Sequence, residues 1–170
     1  MKITKDLLKS WNACQEGYEW FLQNFPEGEG EYQDVLDRLA DDEQPDYAQW
    51  LISEAGNDGT TLELDSVEER KFLFVAGSLK VTGSINVESS VYVAGGIEVG
   101  GGIEAGGGIE AGWWIEAGEG IKAGGGIKVG DNYGIFAGLK VKLSLWSVHA
   151  KVTAKVKPDN LVSGYWEEPI

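Results

Sequence analysis

From Leu73 onward, apolar residues recur every six positions without a break: Leu73, Leu79, Ile85, Val91, Ile97, Ile103, Ile109, Ile115, Ile121 and Ile127. Two positions after each stands a second apolar residue, from Val75 and Val81 through Ala105 and Ala111 to Val129. The residue between is often polar, as at Lys80, Asn86, Glu98, Glu104, Glu110, Glu116, Lys122 and Lys128. Alternate side chains of a strand face opposite sides. Each repeat therefore predicts a three-residue strand, in–out–in, followed by a Gly-rich corner where glycine supplies a positive φ. One repeat buries too little to be stable, whereas stacked coils bury a continuous apolar column. The pattern predicts a parallel β-solenoid from Leu73 to about Ala137.

Six residues make one face. Three faces give a coil of about 18 residues, which would stack Lys122 on Glu104 and Lys128 on Glu110, and would set Glu98 beside Glu116. A flat two-faced coil of about 12 residues would instead stack Glu98 on Glu110 and Glu104 on Glu116. The opposite-charge neighbours favour three faces.

The cadence shifts at Asp131-Asn132-Tyr133-Gly134, which inserts two residues. From Leu139 to Val156 plain alternation takes over (Val141, Leu143, Leu145, then Val148, Ala150, Val152, Ala154), and predicts longer strands that close the rod or pair with a second copy. Ahead of the repeats, the spacing is helical. Thr4 and Asp6 read as the start of a first helix. Tyr18, Phe21, Leu22 and Phe25 mark a second, ended by Pro26 and Glu27-Gly28-Glu29-Gly30. Tyr32, Val35, Leu36 and Leu39 mark a third, and Pro45-Asp46 opens a fourth that Gly56 and Asn57-Asp58-Gly59 stop. Trp11, Trp20 and Trp50 are expected to pack in the core of this small domain. The fold class is thus α+β: an acidic helical domain at 1–65, a Gly-rich solenoid at 66–138, and C-terminal strands and tail at 139–170.

Charge sharpens that division. Residues 1–70 hold 18 Asp/Glu against 5 Lys/Arg, whereas residues 71–170 hold 10 against 9, so nearly all of the net −14 sits in front. Such a chain repels nucleic acid, and direct nucleic-acid binding is not expected. No run of 18 apolar residues exists, so no membrane span or membrane partner is expected. MKITKDLLKSW lacks the apolar core of a signal peptide, which reads as cytoplasmic, in a bacterial host. Cys14 is the only cysteine, which excludes an internal disulfide and a Cys-based zinc site.

The segment Gly77–Ala111, GSLKVTGSINVESSVYVAGGIEVGGGIEAGGGIEA, resembles bactofilins and other polymer-forming β-helix proteins of bacteria, through its Gly-x-Ile-x-Val/Ala cadence and valine-rich rungs. The resemblance implies a right-handed β-helix, as is general for parallel crossovers, and self-assembly. The acidic domain in front departs from that family. ACQEGYEWFLQNFP at Ala13–Pro26, with YQDVLDRLA and DYAQWL, resembles an N-terminal module on proteins of phages and mobile elements. That resemblance implies opposition to a bacterial defence system, in the manner of anti-CRISPR proteins.

Candidate chemistry is sparse. His149, the only histidine, lies outside the regular repeats, so the general-base role of a hexapeptide acyltransferase is not assigned to it. The glutamates Glu98 to Glu116 share one repeat position and read as solvated outward residues. The glycine triplets read as corners, because no helix and no Lys/Ser follows them as in a phosphate cradle. Trp113-Trp114 replaces Gly-Gly at one corner, where exposed aromatics suit an interface; with Tyr133 it is a candidate contact surface, for a partner, a second copy or the helical domain. Asp34, Asp37, Asp41, Asp42 and Glu43 form the candidate acidic face for electrostatic docking. No catalytic constellation, cofactor or metal is expected. The sequence favours a non-enzymatic binding protein: an acidic inhibitor engaging a protein partner with a basic surface in a nucleic-acid-handling defence complex. The alternative is a self-assembling structural β-helix with a helical adaptor.

Overall fold

A computed structural model describes residues Met1–Pro169. The chain opens with β1 (Lys2–Thr4), α1 (Lys5–Ser10), α2 (Gln15–Asn24), β2 (Glu29–Glu31), α3 (Tyr32–Asp41) and α4 (Pro45–Ala55). Thr4 caps α1, its hydroxyl accepting from the Leu7 N–H at 3.2 Å. Gly56 ends α4 at φ +67°, a conformation that favours glycine. The helices bury Leu8, Phe21, Val35, Leu36, Leu39 and Leu51 around the fully buried Tyr32. Trp11, Trp20 and Trp50 lie at the margin of this core, half-buried, rather than at its centre. One element was not expected: β1 and β2 pair antiparallel, with Ile3 opposite Gly30. The Glu-Gly run that reads as a helix stop also supplies a strand, which holds the N-terminus over the core and buries Ile3.

The solenoid comprises β3 (Thr61–Leu64), β4 (Val67–Arg70), β5 (Leu73–Val75), β6 (Ser78–Val81), β7 (Ile85–Val87), β8 (Val91–Val93), β9 (Ile97–Val99), β10 (Ile103–Ala105), β11 (Ile109–Ala111), β12 (Ile115–Ala117), β13 (Ile121–Ala123), β14 (Ile127–Lys128) and β15 (Ile135–Phe136). A 3₁₀ turn (Leu143–Leu145), α5 (Trp146–His149), β16 (Lys151–Thr153), β17 (Leu161–Ser163) and β18 (Tyr165–Trp166) complete the described chain. The strands form three parallel sheets, ordered β18-β16-β13-β10-β7-β4, β14-β11-β8-β5 and β17-β15-β12-β9-β6-β3. Ile103 pairs with Ile85 on one side and Ile121 on the other, so a regular coil takes 18 residues and has three faces. Ile103, Ile109 and Ile115 point into one column and are at most 2% exposed. The rung charges fall as the three-faced coil requires: Lys122 reaches Glu104 at 2.8 Å and Lys128 reaches Glu110 at 3.7 Å, while Glu98 pairs with Glu116.

The corners depend on glycine for a reason other than the one expected. Among the described glycines, positive φ occurs at Gly28, Gly56, Gly59, Gly138 and Gly164, none of them a regular repeat corner. At Gly106 the constraint is steric: a Cβ there would collide with the Glu88 carbonyl oxygen of the coil below. The glycine run is the closest-approach seam between successive coils.

Three boundaries differ from the sequence reading. The solenoid begins before the charge break, because Thr61–Leu64 already pairs with β6. It also continues past 138, since β16, β17 and β18 extend two of the sheets. And the alternating segment 139–156 does not form long strands. Val152 pairs with Ile121, 31 positions earlier. The chain between β15 and β16 is too long for one face, and it leaves the coil as a loop carrying the 3₁₀ turn and α5. Alternation is a necessary pattern for a half-buried strand, but here no neighbouring strand is in register to receive it.

The helical domain docks on the first coils. Outward Phe74 of β5 is buried under α3 and stacks on Tyr92 of β8, ring centroids 5.4 Å apart. Gln33 of α3 donates Nε2–H to the Phe74 carbonyl at 2.9 Å and accepts the Ala76 N–H at 3.0 Å. Its amide thus pairs with the open edge of β5 as another strand would. Lys71 bridges to Glu43 at 2.6 Å, and Gln49 of α4 donates to Glu110 at 2.7 Å.

Candidate interaction site

Helical periodicity places Asp34, Asp37 and Asp41 on one face of α3, with Asp42 and Glu43 just beyond its end. They do not form a uniform charged row. Asp42 is half-buried and accepts the indole N–H of Trp20 at 2.9 Å, and it pairs with Arg38 at 3.3 Å. Glu43 takes φ +55° and holds Lys71. Asp37 accepts from Gln33 at 3.0 Å. Partial burial of its carboxyl at the inter-domain seam pushes its pKa up; the Gln33 hydrogen bond and the charge of Arg70 pull it down, and Asp34 and Asp41 push it up again. Asp37, Asp42 and Glu43 are therefore each held by a partner within the fold, although only Asp42 is half-buried and the other four acids, Asp34 and Asp41 among them, are exposed.

Beside this face the helices leave an apolar cleft of about 300 Å³, walled by Ile3, Leu8, Trp20, Phe21, Tyr47 and Trp50, with Cys14 and Gly17 at its lining. Cys14 is exposed and caps α2, its Sγ accepting the Gly17 N–H at 3.4 Å. A Cβ at Gly17 would crowd the Cys14 Sγ at 3.2 Å and would make only ordinary contact, 3.7 Å, with the Tyr47 ring. Tyr47 has its pKa raised, first by desolvation and then by the neighbouring charges of Cys14, Glu16 and Asp46. Carboxylates thus border an apolar recess. The sequence reading missed the cleft; a glycine inside a helix that is otherwise rich in aromatics was its available signal.

The three aromatic candidates do come together. Trp113 and Trp114 stack at 5.5 Å, and Tyr133, brought in by the two-residue insertion, lies 6.3 Å and 6.1 Å from them. Both tryptophans are half-buried, and Trp114 lies over Gly96. The helical domain rests elsewhere, on Phe72, Phe74 and Tyr92, so docking of that domain is not their role.

A fourth feature lies on the loop before β16 and continues through β16 into the segment that follows it. Leu139, Leu143, Leu145, Val148 and Val156 are exposed, Leu143 by 88%. Lys140, Lys142, Lys151, Lys155 and Lys157 accompany them, and no Asp or Glu occurs from Asn132 to Pro158. His149 is exposed on the same loop. Among the described residues, no group of three or more His, Cys, Asp or Glu side chains is gathered as a metal ligand set. No described helix is long and apolar enough to cross a membrane.

Residues 1–57 match the family model of the YdhT N-terminal domain. The match ends one residue after Gly56, where the chain leaves α4 for the solenoid, so the YdhT-like segment coincides with the helical domain. No curated protein and no solved structure matches the chain.

Proposed function

We propose that this is a non-enzymatic binding protein in which the solenoid is a rigid support and the YdhT-like helical domain is the business end. It acts as an acidic inhibitor that engages a basic, nucleic-acid-handling surface of a bacterial defence complex. The observation that carries this reading is the free acidic face: Asp34 and Asp41 stand exposed on α3, on a domain that Phe74, Tyr92 and Gln33 hold in place. A fixed array of carboxylates can present the charge of a phosphate backbone without paying to order itself on binding. Individual exposed pairs contribute little, so the effect resides in the summed field and mainly in the association rate.

The bactofilin-like alternative, self-assembly by direct stacking of terminal rungs, is weakened at one end. There Gln33 and α3 already cover the edge of β5.

The test is competition. Labelled duplex bound to a guide-loaded nuclease complex should be released by the wild-type chain. The release should weaken steeply as salt shortens the Debye length to about 8 Å. Asp34→Asn with Asp41→Asn should slow association several-fold at low salt without lowering the melting temperature. A variant that competes as fast as the wild type would reduce the acidic face to a solubility feature.

A further inference from the structure

Two surfaces of this molecule are chemically complementary. In the helical domain, an apolar cleft is walled by Trp20, Tyr47 and Trp50. Asp42 is hydrogen-bonded to the Trp20 indole, and Glu16 and Asp46 bear on Tyr47. The domain around it, residues 1–57, carries 13 Asp/Glu against 4 Lys/Arg. Elsewhere, the loop before β16 carries Lys140 and Lys142 and no carboxylate, in a chain whose net charge is −14. It holds Leu139, Leu143, Leu145 and Val148 out in solvent, where nothing in the chain covers them. Scattered apolar residues are normal on a surface, but several on one short loop mark a contact.

We propose that the Leu139–Val148 loop of one copy seats in the acidic-rimmed cleft of the helical domain of a second copy, giving head-to-tail self-association. Leu143, the most exposed of the loop residues, is the anchor that enters the cleft. Lys142, next to it in the chain, meets Glu16 and Asp46 at the rim. Burying the leucines against Trp50 and Tyr47 provides the attraction, and the opposite charges fix the direction. A second copy is favoured over an anionic membrane because the receiving cleft is present in the same chain, whereas the rest of the molecule, at net −14, is repelled by an anionic surface. The donor loop and the receiving cleft are different surfaces of the chain, so the contact is heterologous and open-ended. This inference goes beyond the inhibitor reading. It needs no foreign partner and survives if the competition experiment fails.

Two variants and their mixture test it by sedimentation velocity over a wide concentration range at low salt. Leu143→Asp with Leu145→Asp spoils the loop. Glu16→Lys with Asp46→Lys spoils the rim. All four side chains are exposed, and an unchanged melting temperature verifies the fold. The wild type is expected to grow into dimers and longer species with concentration, and to dissociate with salt. Each variant alone should be monomeric. An equimolar mixture should form a dimer and nothing larger, because one intact loop then meets one intact cleft. A wild type that stays monomeric throughout overturns the proposal. Persistent association of the rim variant also overturns it, in favour of a loop-to-loop dimer. Binding of the monomeric wild type to phosphatidylserine vesicles, lost in the loop variant, overturns it in favour of a membrane contact.

Discussion

Phe74 and Tyr92, eighteen positions apart and both at outward positions of their repeats, stack ring on ring at 5.4 Å and so turn one face of the rod into a seat for the helical domain. Phe74 is 1% exposed, although a residue at this position elsewhere faces water. Phe74→Ala should cost about 3–5 kcal/mol, the range for truncating a buried aromatic. The loss should fall on the docking, because the inward column of Leu73 and Val75 is untouched. Hydrogen exchange should show faster opening in α3 and β5, with β10, β11 and β12 still protected. Uniform acceleration along the rod would contradict a seat separable from the column.

Gln33→Ala tests the edge clamp. It removes the partners of the Phe74 carbonyl and the Ala76 N–H, and an unpaired buried backbone group costs about 1–3 kcal/mol. The Ala76 amide should lose protection most. If Ala76 exchanges as slowly as before, water satisfies the edge and the clamp is dispensable.

The seam glycines can be separated from ordinary loop glycines. Gly106→Ala places a methyl against the Glu88 carbonyl oxygen, whereas a Cβ at Gly126 meets nothing within 4 Å. The first substitution should force neighbouring coils apart and destabilise the rod by 1 kcal/mol or more, roughly the lower bound for overpacking. The second should change the melting temperature little or raise it, since alanine restricts the unfolded chain. Equal effects at both sites would contradict the close-approach account.

Asp37 supplies a pH signature. Asp37 is exposed as a residue, yet partial desolvation of its carboxyl against the neighbouring segment raises its folded pKa above the ordinary value. The folded state therefore holds the proton to higher pH than the unfolded state, and this group's contribution to stability falls as pH rises through the folded value. At neutral pH the ionised Asp37 is a net cost, increased by Asp34 and Asp41. Asp37→Asn should therefore raise the melting temperature at pH 7, with the amide oxygen still accepting from Gln33. The gain should shrink as pH falls through the carboxylate range, about 4, where the wild type becomes neutral too. A melting temperature lowered at pH 7 would mean that the attraction of Arg70 outweighs the burial.

The six-residue period was enough to place Ile103, Ile109 and Ile115 in one buried column. The Glu–Lys offsets were enough to select three faces, because a repeat that must hide one side chain in two leaves few ways to coil. The docking face at outward positions 74 and 92 was not read from the sequence, which offered Trp113-Trp114 instead, because only the packed helices show which outward aromatics they cover. Other features were settled only by contacts between distant segments. Asp42 is a partner of Trp20, twenty-two positions away, and Glu43 of Lys71, so an acidic run that reads as one solvated face is partly structural. The alternation of 139–156, broken in phase at Trp146-Ser147, becomes a strand only at Lys151–Thr153, because strand identity depends on a neighbour in register and Val152 found its own at Ile121. The cleft between the helices has no linear signature, since its walls come from β1 and all four N-terminal helices and exist only once those elements pack.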